Sequence, residues 1–485
     1  MASLKTRDQY LPTIGIECHV QLGTKSKLFS GAGNDARDAK PNTLISHIDL
    51  GLPGALPVLN QKALEFATRA ALALGTEPEK NSQFDRKHYF YPDLPMGYQI
   101  TQFYMPIIRS GHVTFKVNNR KKTVNIHEAH LEADAGKSTH PEGADYSLID
   151  LNRAGTPLLE IVSKAEMHNA KEARAYAKEL WLLMRYAEVS DADLFHGNMR
   201  FDVNVSVSKS KELGIRTETK NLNSFKSVEK AVEFEISRQI ELLEKGHKIT
   251  QETRGWDEAK QKTFSQRGKE EAHDYRYMPD PDLPPVELSD SFIKEVSKQM
   301  PTMPNKAREF LAKVDIDQTT IETLLDEIIA CRLVLAVIDS GIKHNLIAKK
   351  IANWLVGDVQ ALVAANKLDW SELKLNVNNF VALAELVEQN KVSSSGAKAI
   401  LVEMVKTGDS PSELAEKLNV LQVSDEGKIE KIVQDIIKAN PQAAEDVKSG
   451  ELKAIGFLVG QVMKVSKGSA NPGMAQILIK KKLGL

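Results

Sequence analysis

Apolar and polar residues alternate in short runs through the first half of the chain, the period-two signature of strands with one buried face. From Met199 to Val207, Phe201, Val203, Val205 and Val207 fall on one side, and Asp202, Asn204 and Ser206 on the other. Ile14 to Leu22 repeats the pattern: Ile14, Ile16, Cys18, Val20 and Leu22 oppose Gly15, Glu17, His19 and Gln21. Helical spacing interrupts these strands. Phe225, Val228, Val232, Ile236, Ile240 and Leu243 recur three and four residues apart. Ser224 can cap that helix at its start and Gly246 can end it.

The pattern changes near residue 285. Met278-Pro-Asp-Pro-Asp-Leu-Pro-Pro285 excludes regular helix and central strand, because proline lacks the N–H that either would use. Beyond it the chain reads almost wholly helical, and Gly408 to Pro411 marks a second boundary. The expected class is α+β, with domains at 1–296, 297–409 and 410–485. A chain of 485 residues agrees with about three domains of roughly 150 each. There is no internal repeat.

Composition narrows the function. Hydrophobic residues make up 42% and charged residues 27%, the profile of an ordinary globular protein. A net charge of −1 means that any nucleic-acid-binding surface must be local. One candidate follows Glu451, where Lys453, Lys464, Lys467, Lys480, Lys481 and Lys482 occur without an acidic residue. A solvated helix face and a phosphate-backbone contact fit that composition equally. No apolar run approaches the roughly 18 residues of a membrane span, and Met1 to Pro12 lacks the apolar centre of a secretory signal. The expected location is the cytoplasm. Cys18 and Cys331 are too few for a disulfide framework or a four-thiolate zinc site.

The polar strand faces carry the candidate chemistry. Glu17 and His19 share a face, while Cys18 points into the apolar side and reads as core. His130, Glu132 and Asp134 share another face in His130-Leu-Glu-Ala-Asp-Ala-Gly136. Glu160 sits among apolar residues in Thr156-Pro-Leu-Leu-Glu-Ile-Val162, where a charge needs a partner. Asp202 with Asn204, and Arg216 with Glu218 and Lys220, follow the same pattern. Each alone is equally a salt-bridged polar face. Together they suit Mg²⁺, which takes hard oxygen ligands and leaves positions for water and phosphates. The common nucleotide loops are absent: Gly136-Lys-Ser138 lacks the earlier glycine of a P-loop, Leu131 standing there. Gly31-Ala-Gly-Asn-Asp-Ala36 leads to Pro41 rather than into a long helix.

Longer stretches are distinctive. Ile14-Gly-Ile-Glu-Cys-His-Val-Gln-Leu22, Gly51-Leu-Pro-Gly-Ala-Leu-Pro-Val58 and Tyr89-Phe-Tyr-Pro-Asp-Leu-Pro-Met-Gly-Tyr-Gln-Ile100 resemble the B-subunit family of the tRNA-dependent amidotransferases. So do Asp150-Leu-Asn-Arg-Ala-Gly-Thr-Pro-Leu-Leu-Glu160, Thr217-Glu-Thr-Lys-Asn-Leu-Asn-Ser-Phe225 and Glu252-Thr-Arg-Gly-Trp-Asp257. Asp274-Tyr-Arg-Tyr-Met-Pro-Asp-Pro-Asp-Leu-Pro284 and Asn471-Pro472 complete a run that spans nearly the whole chain in order.

The resemblance implies a cradle-shaped catalytic domain of the glutamine synthetase and guanidino kinase type, then an all-helical domain and a small helical tail. It implies one component of a glutamine-hydrolysing aminoacyl-tRNA amidotransferase. Such an enzyme uses ATP and Mg²⁺ to phosphorylate the side-chain carboxylate of Glu-tRNA(Gln) or Asp-tRNA(Asn), and ammonia then displaces the phosphate. In that chemistry Glu17, Glu132, Asp202 and Glu218 are the expected catalytic residues. His19, Glu160 and Glu132 are the expected metal ligands, and Lys220 and Arg254 hold phosphate. Lys464, Lys467, Lys480 and Lys481 are expected on the tRNA. The implied partners are an amidase-type A-subunit, a small C-subunit and the tRNA itself, with no membrane. This chain carries no Ser-Ser-Lys amidase signature, so ammonia is expected from another chain.

Three departures stand out. Many relatives bind zinc through cysteine pairs where this chain has Phe29-Ser-Gly-Ala32 and Ser46-His-Ile-Asp49, so no zinc is expected. Ala133 replaces a carboxylate placed near the metal, and Met96 replaces a lysine. Two other readings remain open: a free-standing carboxylate–amine ligase, and a non-catalytic tRNA-binding scaffold.

Overall fold

The computed structural model describes residues 7–268, 275–341, 345–422, 426–449, 452–466, 470 and 472–485. The chain forms two compact units, Met1–Pro304 and Asn305–Leu485. The first is mixed α/β around a large sheet; the second is helical.

Eight strands build the large sheet: β1 (Leu11–Gln21), β2 (His112–Val117), β3 (Arg120–Ala133), β4 (Pro157–Ser163), β5 (Met199–Ser208), β6 (Thr217–Leu222), β7 (Glu252–Asp257) and β8 (Lys262–Gly268). Their spatial order is β8-β7-β6-β5-β1-β4-β3-β2. All neighbours run antiparallel except β6 and β7. The strand expected around residues 14–22 thus sits at the centre, flanked by the one expected over 199–207.

One face of this sheet is sealed. Ile14, Ile16, Cys18 and Val20 of β1 and Phe201, Val203 and Val205 of β5 are buried in one apolar cluster with residues of two helices, α2 (Ala170–Tyr186) and α3 (Phe225–Glu244). A shorter helix, α1 (Gln61–Ala73), adds Ala63, Ala67 and Ala70 to the same core. Ser224 caps α3 as its position suggested, accepting from the Ser227 N–H, and Asn169 caps α2, accepting from the Glu172 N–H. Gly246 follows α3 at φ +75°, a left-handed backbone that glycine adopts without a Cβ clash. Cys18 is fully buried, as its place on the apolar side required.

The proline-rich segment behaves as its chemistry demands. Met278–Pro279 is an edge strand beside Asp85–His88, which pairs in turn with Tyr98–Thr101. In the second unit, Ile429, Val433, Leu458, Val462, Ala475 and Ile479 form a compact core among the last helices.

The stretches around Phe29–Ala32 and Ser46–Asp49 are tied together by a buried ion pair. Lys27 has no exposed surface, and its ammonium lies 3.4 Å from the Asp49 carboxylate. Ser30 Oγ and the Ser46 N–H donate to the same carboxylate at 2.9 and 2.8 Å. Burial pulls the Lys27 ammonium below the usual lysine range, and Asp49 opposes that shift. Gly155 passes so close that a Cβ there would lie 2.7 Å from Asp49 Oδ1. Leaving one such charge unpaired costs about 3–5 kcal/mol, whereas replacing both by apolar groups is often neutral. Lys27→Met is therefore expected to lower the urea midpoint strongly, and Lys27→Met/Asp49→Asn, which removes the second charge but keeps an acceptor for Ser30 and the Ser46 N–H, to recover part of the loss. Equal stability of the single variant and the parent would show that the pair holds nothing together.

Candidate functional site

The other face of the sheet carries the polar residues, and strand register decides which of them meet. His19 of β1 lies opposite Glu160 of β4 and Arg200 of β5, and His130 of β3 lies opposite Glu160. His130, Glu160, His19 and Arg200 therefore form one row across four strands. A second row joins Glu17 to Asp202, and a third joins Asn204 to Glu218.

A β-bulge sharpens this arrangement. Phe201 pairs with Leu222 and Val203 with Thr219, so Lys220 and Asn221 both stand opposite Asp202. Asn221 takes φ +59°, which asparagine tolerates better than most residues. Its N–H thereby donates to Asp202 Oδ1 at 2.8 Å, and Lys220 Nζ donates to Asp202 Oδ2 at 2.8 Å.

Among the described residues, two groups bring ligand-type atoms within 4.8 Å of one another: His19, Glu132 and Glu160, and Glu17, Asp202 and Glu218. In the first, His19 reaches both carboxylates, and so does His130 beside the group. His19 Nε2 is 3.4 Å from Glu160 and 3.9 Å from Glu132; His130 Nε2 is 3.3 and 3.8 Å from the same two groups. In the second, Lys220 lies 3.2 Å from Glu218, Thr253 donates to Glu218, and Asn204 donates to Glu17 at 2.8 Å. Both groups line one cavity of about 720 Å³. Asp134 also borders it, just past the end of β3, held by Arg153 at 2.9 Å and Arg200 at 3.5 Å.

The charges interact strongly. Burial raises the Glu17 carboxyl above its ordinary value, and Glu160, Glu218 and Asp202 push it further. Burial would lower the His19 imidazole, but Glu160, Asp202 and Glu132 overcome it and lift it to about 9. His130 is lifted to about 10 against burial, by Glu160 and Glu132. Burial opposes the ionised form of Glu160, yet His19 and His130 hold it well below the carboxylate range. Asp202 is depressed despite its burial because Lys220 and His19 face it.

The structure thus brings Glu17, His19, Glu132, Glu160, Asp202, Glu218 and Lys220 into one cavity. Arg254 does not join them. Thr253 takes the cavity side of β7, and Arg254 turns to the opposite face, where its guanidinium meets Glu235 at 3.0 Å, Thr263 Oγ1 at 2.8 Å and Glu252. The basic groups that do line the cavity, besides Lys220, are Lys87, Arg200 and Arg216.

Ala133 is the last residue of β3 and faces the core, opposite to Glu132. A carboxylate at position 133 would not share the face of Glu132. Ala133 and Met96, the two remaining departures, line one small pocket of about 80 Å³.

His130, which reaches Glu132 and Glu160, fell on the polar face by strand alternation, but sequence reading gave it no role. The tyrosines of the cavity wall, Tyr89, Tyr91, Tyr275 and Tyr277, were not singled out, because their segments lie far apart in the chain. Elsewhere, Lys464, Lys480 and Lys481 are exposed on helices Leu452–Val465 and Pro472–Leu483. Lys482 pairs with Glu430. Lys467 lies outside the described residues, as do Asp274 and Asn471 of the motifs quoted above.

This geometry accompanies a clear relationship to known proteins. The family model of the GatB/GatE catalytic domain matches residues 12–294, which contain the entire cavity, and that of the GatB domain matches residues 332–483. The chain belongs to the GatB family. It is 43% identical to the B-subunit of the aspartyl/glutamyl-tRNA(Asn/Gln) amidotransferase of Brevibacillus brevis, over 98% of this chain and 99% of that protein. The Persephonella marina protein of the same name is 43% identical over 98% of this chain and 100% of its own length. The Thermodesulfovibrio yellowstonii counterpart is 42% identical over 97% and 98%.

A free imidazole titrates near 6.5. With His19 and His130 lifted to about 9 and about 10, their stabilising contribution is complete below about pH 6.5 and is lost as pH rises through 9 to 10. Histidine-selective NMR of the chain in chelator is expected to find both imidazolium signals persisting at pH 8. Titration of both near 6.5 would mean that the carboxylates do not hold them.

Proposed function

We propose that this chain is the kinase and transamidase component of a tRNA-dependent amidotransferase, and that its chemistry occurs in the cavity over β1, β4 and β5. The observation that carries the reading is the pair of acidic groups, side by side on one sheet face, within the segment matched by the family's catalytic domain. The open sheet face is also consistent with a cradle-shaped domain of the glutamine synthetase and guanidino kinase type.

A carboxylate resists ammonia because its carbon is electron-rich and its leaving group would be oxide. Activation solves both problems. A side-chain oxygen of tRNA-bound glutamate or aspartate takes the γ-phosphoryl group of ATP, releasing ADP and forming an acyl phosphate. Ammonia then attacks the acyl carbon, phosphate leaves, and the amide remains. Phosphoryl transfer depends mainly on positioning and charge neutralisation.

The donor set fits Mg²⁺. Glu17, Asp202 and Glu218 offer hard oxygens within 4.8 Å of one another, and the neighbouring carboxylates that add to burial in raising Glu17 are a repulsion that a cation would relieve. Glu132 and Glu160 would hold a second ion, with His19 joining them only after its imidazole gives up the proton that it holds in the metal-free site. Bound Mg²⁺ supplies charge neutralisation for the phosphate oxygens. Lys220, Lys87, Arg200 and Arg216 are suited to hold the phosphates and keep the nucleotide oriented toward the acyl group.

Ammonia would come from glutamine hydrolysed on an amidase-type A-subunit, with a small C-subunit completing a cytoplasmic complex. The relatives' names, which specify a B-subunit and the two tRNAs, support that assembly. The exposed lysines of the last helices would contact the tRNA backbone.

Amide formation on Glu-tRNA(Gln) and on Asp-tRNA(Asn), by the assembled complex with ATP, Mg²⁺ and either glutamine or free ammonia, tests the reading. Glu160→Ala and His19→Ala are expected to reduce the rate on both ammonia sources by at least about a hundredfold, the scale of one preorganised electrostatic group. Near-normal rates in these variants would place the chemistry elsewhere, and no product from the parent complex on either tRNA would favour a scaffold. Replacing Lys480 and Lys481 by alanine is expected to weaken tRNA binding. It should also flatten the dependence of log K on log salt by roughly 0.7–0.9 per lost phosphate contact. An unchanged slope would remove these lysines from the interface.

A further inference from the structure

Behind the acidic groups, the helix-covered side of the sheet is not wholly apolar. Glu235 and Gln239 of α3 lie against β5 to β8, and neither has any exposed surface. Gln239 Nε2 donates to the Val205 carbonyl of β5 and to Thr217 Oγ1 of β6, both at 2.9 Å. Thr217 Oγ1 donates in turn to Glu235 Oε2 at 2.9 Å, and Thr263 of β8 donates to Glu235 Oε1. Arg254 of β7 completes the set, 3.0 Å from Glu235 Oε1 and 3.3 Å from the Thr263 carbonyl. One helix thus reaches four consecutive strands through polar groups.

Apolar side chains would hold these layers together as well, because a carboxylate taken out of water loses much of its attraction as forfeited hydration. Burial opposes the ionised form of Glu235, yet Arg238, Thr263 and Arg254 hold it below its ordinary value. What polar groups add is direction. Each bond fixes one strand against the helix, and the strands so fixed include the weakest seam of the sheet. β6 and β7 run parallel and pair only through Glu218–Thr253 and Thr219–Arg254. The two faces of this seam are linked by alternation: Thr217 and Arg254 face α3, while Glu218 and Thr253 face the cavity. On the cavity side, Thr253 Oγ1 donates across the seam to Glu218 Oε2 at 3.2 Å. A slip of one residue in β7 would exchange Thr253 and Arg254 between the faces.

We propose that Glu235, Gln239 and Arg254 are positioning residues: from the reverse side of the sheet they fix β6 against β7 and so hold Glu218 in the group that it forms with Glu17 and Asp202. They touch neither substrate nor ion. Arg254 suits this task because its planar fork reaches Glu235 and Thr263 together, which the single point of a lysine ammonium does not. The inference rests on the function proposed above for the cavity, and it gives Arg254 a part in that function without a place at the phosphate.

The test uses the full-length chain and three variants. Arg254→Lys keeps the charge and loses the fork, Glu235→Gln removes the charge, and Gln239→Met removes only the amide. Amide hydrogen exchange is followed along the chain, with the core of the last helices as an internal reference. Exchange in β6 and β7 is expected to quicken by at least about tenfold, the scale of one lost hydrogen bond to a charged group, with β1, β3 and β4 unchanged. Mn²⁺, a spectroscopic probe for Mg²⁺, is expected to bind at least about tenfold more weakly, as when a residue supporting a metal ligand is lost. In a Glu218→Gln background, Arg254→Lys should weaken Mn²⁺ no further, because Glu218 is the group that it positions. Quickened exchange throughout the sheet would make the network ordinary packing and overturn the proposal. So would a full additional loss of Mn²⁺ affinity in the double variant, or confined exchange with Mn²⁺ affinity unaltered. Should either charge-altering variant fail to fold, Gln239→Met is read by the same measurements. If all variants behave as the parent does, the positioning role is wrong while the proposed function stands. If the parent itself takes up no Mn²⁺, the cation reading falls, and confinement of the exchange to β6 and β7 alone decides whether the network holds the seam.

Discussion

Six carboxylates, from Glu17, Glu132, Asp134, Glu160, Asp202 and Glu218, converge on one sheet face while the opposite face is closed by helices. Like charges this close raise one another's affinity for protons, and the strands cannot move apart without opening the core. The surrounding architecture answers that repulsion. Two imidazoles bridge Glu132 and Glu160, Lys220 and the Asn221 N–H hold Asp202, and Arg153 and Arg200 hold Asp134. Glu17 accepts from the neutral Asn204 amide, and burial together with Glu160, Glu218 and Asp202 raises its affinity for a proton. The apolar face supplies the folding free energy against which this strained electrostatics is set, which is how a charged site of this density remains in a marginally stable protein.

Much of this could be read from the chain because strand alternation assigns a face before any partner is known. Glu17 with His19, Glu132, and Asp202 with Asn204 fell on polar sides by parity alone, and Glu160 stood out as a charge within an apolar run. Their meeting could not be read the same way. It depends on register, on Glu17 standing opposite Asp202 and His19 opposite Glu160, and register is a tertiary property. Parity also explains Arg254. It lies in a motif beside the cavity, but Thr253 holds the cavity side, and the arginine packs against Glu235 of α3. Ala133 shows the same rule in reverse, since its alternation points it away from the Glu132 carboxylate.

The tyrosine wall was illegible for a different reason. Tyr89 and Tyr275 become neighbours through the pairing of Met278–Pro279 with Asp85–Arg86, a two-residue edge contact with no periodic signal of its own. The buried Lys27–Asp49 pair was hidden likewise: a lysine with no exposed surface cannot be told from a solvated one until its carboxylate partner is located.

The bulge at Asn221 resets the arithmetic of β6. Counting by twos from Glu218 would put Leu222 beside the carboxylates, yet Leu222 is buried with the core residues. One extra residue shifts the phase, so a six-residue strand serves the charged face at its start and the apolar face at its end. A loss or gain of a single codon here would exchange those two faces over the rest of the strand. The spacing of this motif therefore constrains the site together with the side chains that it carries.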